Sequence, residues 1–189
     1  VILPAEKLAE LYPEQVEVKF DENPLGLDLE NGKMPSDDEH DWSDFKWADI
    51  VWTHNISNYG GQYTARVVGK AKEFGKFVHY DTDDLLTNLY DGHRLQGLYK
   101  EKKLAEATEF IYNHSDLVTV TQRKFAQRIK DMCGGVLAVV KNSIDYNLPC
   151  WSSEKIPSPK KKMIRVGWAG GIHHEEDVKE FAGVPHFVN

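Results

Sequence analysis

The sequence predicts an α/β protein built on a parallel β-sheet that helices cover on both faces. Short runs of apolar residues alternate with longer segments in which apolar residues recur every three or four positions. Such alternation, with short connections, is typical of parallel strands joined by crossover helices. Runs that are apolar almost without a break, such as Val136 to Val140, indicate strands buried on both sides.

The first 43 residues predict one helix, one strand and a long loop. A proline at the start and leucines three apart predict a short amphipathic helix over residues 4–12. Alternation of apolar and charged residues predicts a strand over residues 16–20. Residues 21–43 are rich in acidic residues, glycine and proline, which is typical of a surface loop.

Four further strands then alternate with three helices. The predicted strands cover residues 48–53, 77–80, 116–120 and 136–140. The predicted helices cover residues 63–74, 104–114 and 121–132. Gly75 is placed to end the first of these helices, and Thr121 is placed to cap the start of the third.

A proline- and lysine-rich stretch, residues 149–162, predicts a linker between two domains. Residues 1–148 form the first predicted domain, and residues 163–189 open a second β-Gly-α unit. Its glycines at 167, 170 and 171 lie between a strand and a helix, where backbone N–H groups can bind a phosphate. A tight strand-to-helix turn accounts for the same glycines equally well.

Composition excludes several classes of protein. The chain carries 23 basic and 30 acidic residues, a formal net charge of −7, and no basic stripe of the kind that binds nucleic acid. No apolar run approaches the ~20 residues needed to span a bilayer, and no signal peptide is visible. Cys133 and Cys150 lie far apart without metal-type spacing, which favours a reduced, cytoplasmic protein, although two thiols also allow one disulfide.

Three carboxylates follow the predicted strand at residues 77–80: Asp81, Asp83 and Asp84. In open α/β sheets, ligands bind in the crevice at the carboxyl ends of the strands. Carboxylates grouped there repel one another, so a cation, a ring of N–H donors or a polyhydroxyl ligand would balance them. The alternative is an acidic helix N-terminus, where aspartates cap free N–H groups and suit the helix dipole.

Polar residues also follow two other predicted strands. Thr53, His54 and Asn55 end the strand at residues 48–53, and Asn142 lies just past the strand at residues 136–140. A histidine in such a position can act as a base or hydrogen-bond a sugar hydroxyl. A single histidine in a loop is, however, more often incidental.

Six segments carry a resemblance to a known family. They are residues 3–5, 48–51, 78–84, 115–121, 140–145 and 164–171. Together they resemble a GT-B glycosyltransferase of the retaining, group 1 type. In that family an N-x-I-D segment, here Asn142 to Asp145, closes the N-terminal domain. A strand followed by G-W-x-G, here Gly167 to Gly170, opens the donor domain.

The resemblance implies two facing Rossmann-like domains, the first for the acceptor and the second for a nucleotide-sugar donor. By position it implies catalytic roles for His54, Asp81 and Asp83, acceptor contacts from Thr53, Asn55, Asp84 and Asn142, and donor-phosphate contacts from Gly167, Gly170 and Gly171. It also implies that no metal or other cofactor is used. The chain would then hold the acceptor domain and only the start of the donor domain. We therefore expect it to be inactive alone, unless a second copy in a homo-oligomer supplies the rest.

Other families share parts of this pattern. Asp81-Thr82-Asp83 matches the D-x-D with which GT-A glycosyltransferases hold Mg²⁺ or Mn²⁺ against a sugar diphosphate. It also resembles the D-x-D of haloacid-dehalogenase-like phosphatases, whose first aspartate is the nucleophile. A non-catalytic Rossmann-like binding module is the third alternative.

Overall fold

The computed structural model describes residues 2–55, 60–87 and 96–143. Of these, the residues up to Asn142 belong to one compact unit. The helices are α1 (Ile2–Leu11), α2 (Ser43–Trp47), α3 (Gly61–Glu73), α4 (Gln96–Glu101), α5 (Leu104–His114) and α6 (Arg123–Ile129). The strands are β1 (Ile50–His54), β2 (Phe77–Thr82), β3 (Leu117–Val120) and β4 (Val136–Val139).

The four strands form one all-parallel sheet in the order β1-β2-β3-β4. Neighbours in this sheet are also neighbours along the chain, and each pair is joined by a crossover that contains a helix. The carboxyl ends of the strands therefore lie at one edge. This arrangement confirms the predicted α/β class and is consistent with a Rossmann-like fold.

One face of the sheet is buried beneath helices. In β2 the side chains of Val78, Tyr80 and Thr82 are at most 1% exposed. Val78 and Tyr80 join Val118 and Val120 of β3 in a core cluster that α3 and α5 complete, and we call this the core face. The source of this burial is the period of two in a strand, which sends alternate residues to the same side.

The opposite side of the same strands carries Trp52, His54, His79, Asp81 and Thr119, and we call it the polar face. Thr119 is buried, Trp52, His79 and Asp81 are half-buried, and His54 is exposed. Each polar residue of β2 is thus adjacent in sequence to a residue of the hydrophobic core.

Helix α3 ends where the sequence predicts. Gly75 has φ +68°, a conformation that glycine adopts without steric cost. Its N–H donates to the carbonyl of Lys72 at 2.9 Å, and the N–H of Lys76 donates to the carbonyl of Ala71 at 2.9 Å. These two bonds satisfy carbonyls that would otherwise have no partner within the helix.

The acidic loop, residues 21–43, is attached to α3 by a buried tyrosine. The Tyr63 hydroxyl donates to Oδ1 of Asn23 at 2.8 Å and accepts from the backbone N–H of Leu25 at 3.0 Å. Leu25 itself is only 2% exposed. The prediction of an irregular segment is confirmed for most of this range, although α2 begins at its last residue.

Three local predictions are wrong. The strand at residues 136–140 is not buried on both sides, since β4 is the last strand of the described sheet and Val136 is 65% exposed. Residues 16–20 form no strand, because no ladder of backbone hydrogen bonds joins them to another described segment. Thr121 does not cap α6. The N-cap is Gln122, whose backbone is extended and whose side chain makes no capping bond, and the helix ends at Ile129, before Met132.

Several predictions lie outside the described residues. They are the boundary at residues 148–149, the linker at 149–162, the unit at 163–189 and the glycines at 167, 170 and 171. Within the described ranges, none of the helices has both the length and the apolar character needed to cross a membrane.

Candidate functional site at the carboxyl ends of the strands

A histidine and an aspartate meet where β1 and β2 end. His54 is the last residue of β1, and the parallel register aligns it with Asp81 of β2. Nδ1 of His54 lies 2.9 Å from Oδ2 of Asp81, and their side chains are 40% and 28% exposed. The pair is therefore held by the sheet and is open to a ligand from solvent.

The tautomer of His54 follows from its bond to an ionised Asp81. An ionised carboxylate only accepts hydrogen bonds, so Nδ1 of His54 carries the hydrogen that points at Asp81. In the neutral imidazole, Nε2 then keeps its lone pair. A histidine in this tautomer can accept a hydrogen bond, or a proton, from a hydroxyl group that approaches from the crevice.

Asn55 ties the ends of β1 and β2 together. Its backbone lies in the left-handed region, at φ +46°, which asparagine tolerates better than most residues. Its N–H donates to the carbonyl of Asp81 at 2.8 Å, and its Nδ2 donates to Oδ1 of Asp83 at 2.8 Å. Its Oδ1 accepts from the hydroxyl of Thr82 at 2.5 Å. Asn55 thereby fixes the carboxylate of Asp83 beside the His54–Asp81 pair.

Two further side chains of the polar face join this network. The Thr119 hydroxyl donates to Oδ1 of Asp81 at 2.5 Å, and Nε2 of His79 lies 2.9 Å from the same hydroxyl oxygen. The His79 ring stacks on Trp52, with centroids 4.9 Å apart and planes 14° from parallel. Burial lowers the pKa of His79 more than the nearby Asp81 raises it, so His79 is neutral at pH 7.

Sequence reasoning missed His79 and Thr119 as members of the site. Both lie inside strands, whereas the predicted site residues end or follow the predicted strands. A signal was nevertheless present, because polar and apolar residues alternate from Val78 to Asp81 and again from Val118 to Val120. Alternation of this kind places the polar residues on one face of a sheet.

The four predicted acceptor contacts lie in different surroundings. Thr53 aligns with Tyr80 on the core face, and its buried hydroxyl has no hydrogen-bond partner among the described residues. Asp84 is exposed, and its N–H lies 3.4 Å from the Thr82 hydroxyl oxygen. Asn142 is exposed beyond β4 and makes no hydrogen bond to the described part of the site. The backbone N–H of Asn55 donates to the carbonyl of Asp81 and so joins Asn55 directly to the His54–Asp81 pair.

The carboxylates of Asp81 and Asp83 have separate partners. Asp81 is bonded to His54 and Thr119, and Asp83 is bonded to Asn55. Within the ranges that the structure describes, no three His, Cys, Asp or Glu side chains are grouped so that they could hold a metal ion. The arrangement joins hydrogen-bond donors and acceptors rather than gathering oxygen ligands around one point.

No family model, curated protein or solved structure matches this chain. The assignment of function therefore depends on the described geometry and on the resemblance of the six sequence segments. Of these two, the geometry can be tested residue by residue.

Proposed function

We propose that this chain contains the acceptor-binding domain of a GT-B glycosyltransferase. The whole enzyme transfers a sugar from a nucleotide-sugar donor to a hydroxyl group of an acceptor. In that reaction the acceptor oxygen forms a bond to the sugar carbon, the bond from that carbon to the phosphate breaks, and the nucleoside diphosphate leaves.

The observation that carries this proposal is the His54–Asp81 pair at the carboxyl ends of adjacent parallel strands. Asp81 holds the imidazole by Nδ1, so that Nε2 of the neutral ring is a hydrogen-bond acceptor with no partner among the described residues. An acceptor hydroxyl bound there is oriented by Nε2 and becomes more nucleophilic as its proton is drawn toward the ring. Positioned acid–base groups of this kind typically contribute about 10²–10⁴-fold to a rate.

The groups around the pair suit a polyhydroxyl acceptor. Asp83 presents an exposed carboxylate that Asn55 fixes from one side, and Asp84 presents a second exposed carboxylate next to it. Carboxylates accept hydrogen bonds from several hydroxyl groups at once. A saccharide supplies such hydroxyls at fixed spacings, so we propose a saccharide, or a molecule with a saccharide headgroup, as the acceptor.

The donor side of the proposal depends on the sequence resemblance alone. Gly167, Gly170 and Gly171 would bind the donor phosphates through backbone N–H groups. The reaction would take place in the cytoplasm, where nucleotide sugars are available, and would need no metal ion. A second copy of the chain is the proposed oligomeric partner.

The first test is thermal unfolding of the chain in the presence of a panel of monosaccharides and disaccharides, and of UDP-glucose and GDP-mannose, each with and without Mn²⁺. A ligand that binds only the folded state stabilises it by about 2.7 kcal/mol at a hundredfold excess over its Kd. We expect at least one saccharide to raise the unfolding temperature without Mn²⁺, and His54→Ala to abolish the shift.

His114→Ala is the matched control. His114 is also an exposed histidine whose Nδ1 is hydrogen-bonded, here to the carbonyl of Phe110. It differs from His54 because it is the last residue of α5 and does not end a strand of the sheet. This variant should keep the ligand-induced shift. A shift that requires Mn²⁺ and disappears in Asp81→Asn would contradict the GT-B proposal and favour a metal-dependent D-x-D enzyme. Absence of a shift with every ligand would contradict an acceptor-binding role.

A further inference from the structure

A chain of four polar side chains on the polar face starts on β2, passes through β3, returns to β2 and ends on β1. In order, the groups are His79 Nε2, Thr119 Oγ1, the two oxygens of Asp81, and His54 Nδ1. The separations are 2.9 Å from His79 to Thr119, 2.5 Å from Thr119 to Asp81, and 2.9 Å from Asp81 to His54. Each link joins residues on neighbouring strands, so the sheet itself sets these distances.

The direction of every hydrogen bond in this chain is determined. The ionised Asp81 accepts from both sides, so the single hydrogen of the Thr119 hydroxyl points at Asp81. The Thr119 oxygen can then only accept from His79, which requires a hydrogen on Nε2 of His79. The two histidines must therefore adopt opposite tautomers, with hydrogen on Nε2 in His79 and on Nδ1 in His54.

Thr119 and His79 are held by packing as well as by hydrogen bonds. Thr119 is 5% exposed, and His79 is held flat against the Trp52 ring. Thr119 aligns with Asp81 in the parallel register, so its hydroxyl reaches the carboxylate without a change in the backbone. A carboxylate held on one oxygen by a buried hydroxyl has less freedom to rotate away from a partner on its other oxygen.

We infer that Thr119 and His79 are positioning residues that hold Asp81 in the orientation that fixes His54 as its Nδ1–H tautomer. Neither of them touches the acceptor. They act through Asp81, and His79 acts through Thr119. The inference rests on the proposed function only where it gives His54 a role toward the acceptor, because the tautomers themselves can be measured without any ligand.

The test is nuclear magnetic resonance of the chain with ¹⁵N-labelled histidine. Long-range ¹H–¹⁵N correlations distinguish the two neutral tautomers of each imidazole, and spectra are recorded at about pH 8.5, above the ordinary histidine pKa. His54→Ala and His79→Phe assign the signals of those two residues. In the wild-type chain we expect Nδ1–H for His54 and Nε2–H for His79. The opposite tautomer at either residue would overturn the inference.

Thr119→Val then removes the hydroxyl and keeps the shape of the side chain. We expect the ratio of Nδ1–H to Nε2–H at His54 to fall, because the released carboxylate can rotate away from His54. The limit is about fivefold, the change produced when the His54–Asp81 hydrogen bond is lost. Thr119→Ser should restore the wild-type ratio, because serine provides the same donor. His79→Phe keeps the ring stacked on Trp52 and should shift the His54 ratio in the same direction by a smaller factor.

Thr108→Val is the matched control. Thr108 is another fully buried threonine, but its hydroxyl donates to the carbonyl of Leu104 within α5 at 2.8 Å. This variant should leave the His54 ratio unchanged. Equal ratios in Thr119→Val and Thr108→Val would overturn the positioning role. Expected tautomers together with no saccharide binding would instead contradict the proposed function and leave the positioning role intact.

Discussion

The two faces of the sheet use the same strands for opposite purposes. On the core face, Val78, Tyr80 and Val118 are completely buried against α3 and α5. On the polar face, His79 and Asp81 alternate along β2 with Val78 and Tyr80, and they belong to a hydrogen-bonded network that reaches solvent. The residues that stabilise the fold and the residues of the candidate site therefore alternate along the same strands, and they differ in the direction in which their side chains point.

The side chains of a polar network can therefore be kept in position by an apolar core. The backbone of each strand is fixed by packing on the core face, and that packing also fixes where the side chains of the polar face project. The polar residues need not contribute to stability in order to be well positioned. We therefore expect substitutions on the two faces to differ sharply in their effect on unfolding.

The largest expected effect is on the core side. Ile111 of α5 is 0% exposed in the core cluster, whereas Ile50 of β1 is 59% exposed. Ile111→Ala should lower the free energy of unfolding by about 2–5 kcal/mol, because it leaves a cavity. The same change at Ile50 should cost less than about 1 kcal/mol. Urea denaturation of both variants measures the contrast, and equal losses would contradict the separation of the two faces.

Two carboxylates lie at opposite edges of the sheet: Asp81 near the end of β2, and Asp116 directly before β3. Asp116 precedes β3 and accepts two bonds from Nζ of Lys72, at 2.7 and 2.8 Å, and one from the N–H of Val78 at 2.8 Å. Burial acts to raise the pKa of Asp116, but the bonds from Lys72 and Val78 outweigh it and hold the pKa below its usual value. Unlike Asp81, Asp116 is thus bonded to groups that serve the fold alone.

Asp116→Asn should lower the free energy of unfolding by roughly 1 kcal/mol at pH 7, a modest amount because the pair is partly exposed. A lowered folded-state pKa gives stability that is present above the unfolded-state pKa, about 3.9, and is lost as the pH falls through the folded-state pKa. The difference in free energy of unfolding between wild type and variant should therefore disappear at acidic pH. Asp131→Asn, at an exposed aspartate, is the control and should show no gap at either pH.

The smallest expected effect has the opposite sign. The Tyr112 hydroxyl is buried without a hydrogen-bond partner among the described residues, and burial raises the pKa of Tyr112, so the group stays protonated. Tyr112→Phe removes an unsatisfied donor and should leave the free energy of unfolding unchanged or raise it by less than about 1 kcal/mol. A clear loss of stability in urea denaturation would show that the Tyr112 hydroxyl is hydrogen-bonded and would contradict the prediction.

The sequence was sufficient for the sheet and for part of the site. Strands and helices could be predicted from periodicity, and the meeting of His54 with Asp81 follows once both end parallel strands. His79 and Thr119 could not be assigned to the site in this way, because their role depends on which strands are neighbours and in what register. The position of Asn55 between Asp81 and Asp83 depends on a left-handed backbone, which its residue type permits but does not require.

The tertiary contacts of the acidic loop could not be predicted from the sequence either. Composition predicts an irregular segment but not its attachment. Lys70 lies 33 positions after Asp37, and the two form an ion pair at 2.6 Å. Composition also cannot show that Lys70 lies over the Trp42 ring, 5.1 Å from its centroid. Contacts between residues so far apart in sequence arise only from tertiary packing.

The alternation of faces in β2 makes the candidate site sensitive to the length of the chain as well as to its chemistry. Insertion or deletion of a single residue between Phe77 and His79 would turn every later side chain of the strand to the other face. His79 and Asp81 would enter the hydrophobic core, and apolar residues would replace them in the crevice. Chains of common descent should therefore align without gaps across residues 77–82, while changes in length should be far better tolerated in residues 21–43.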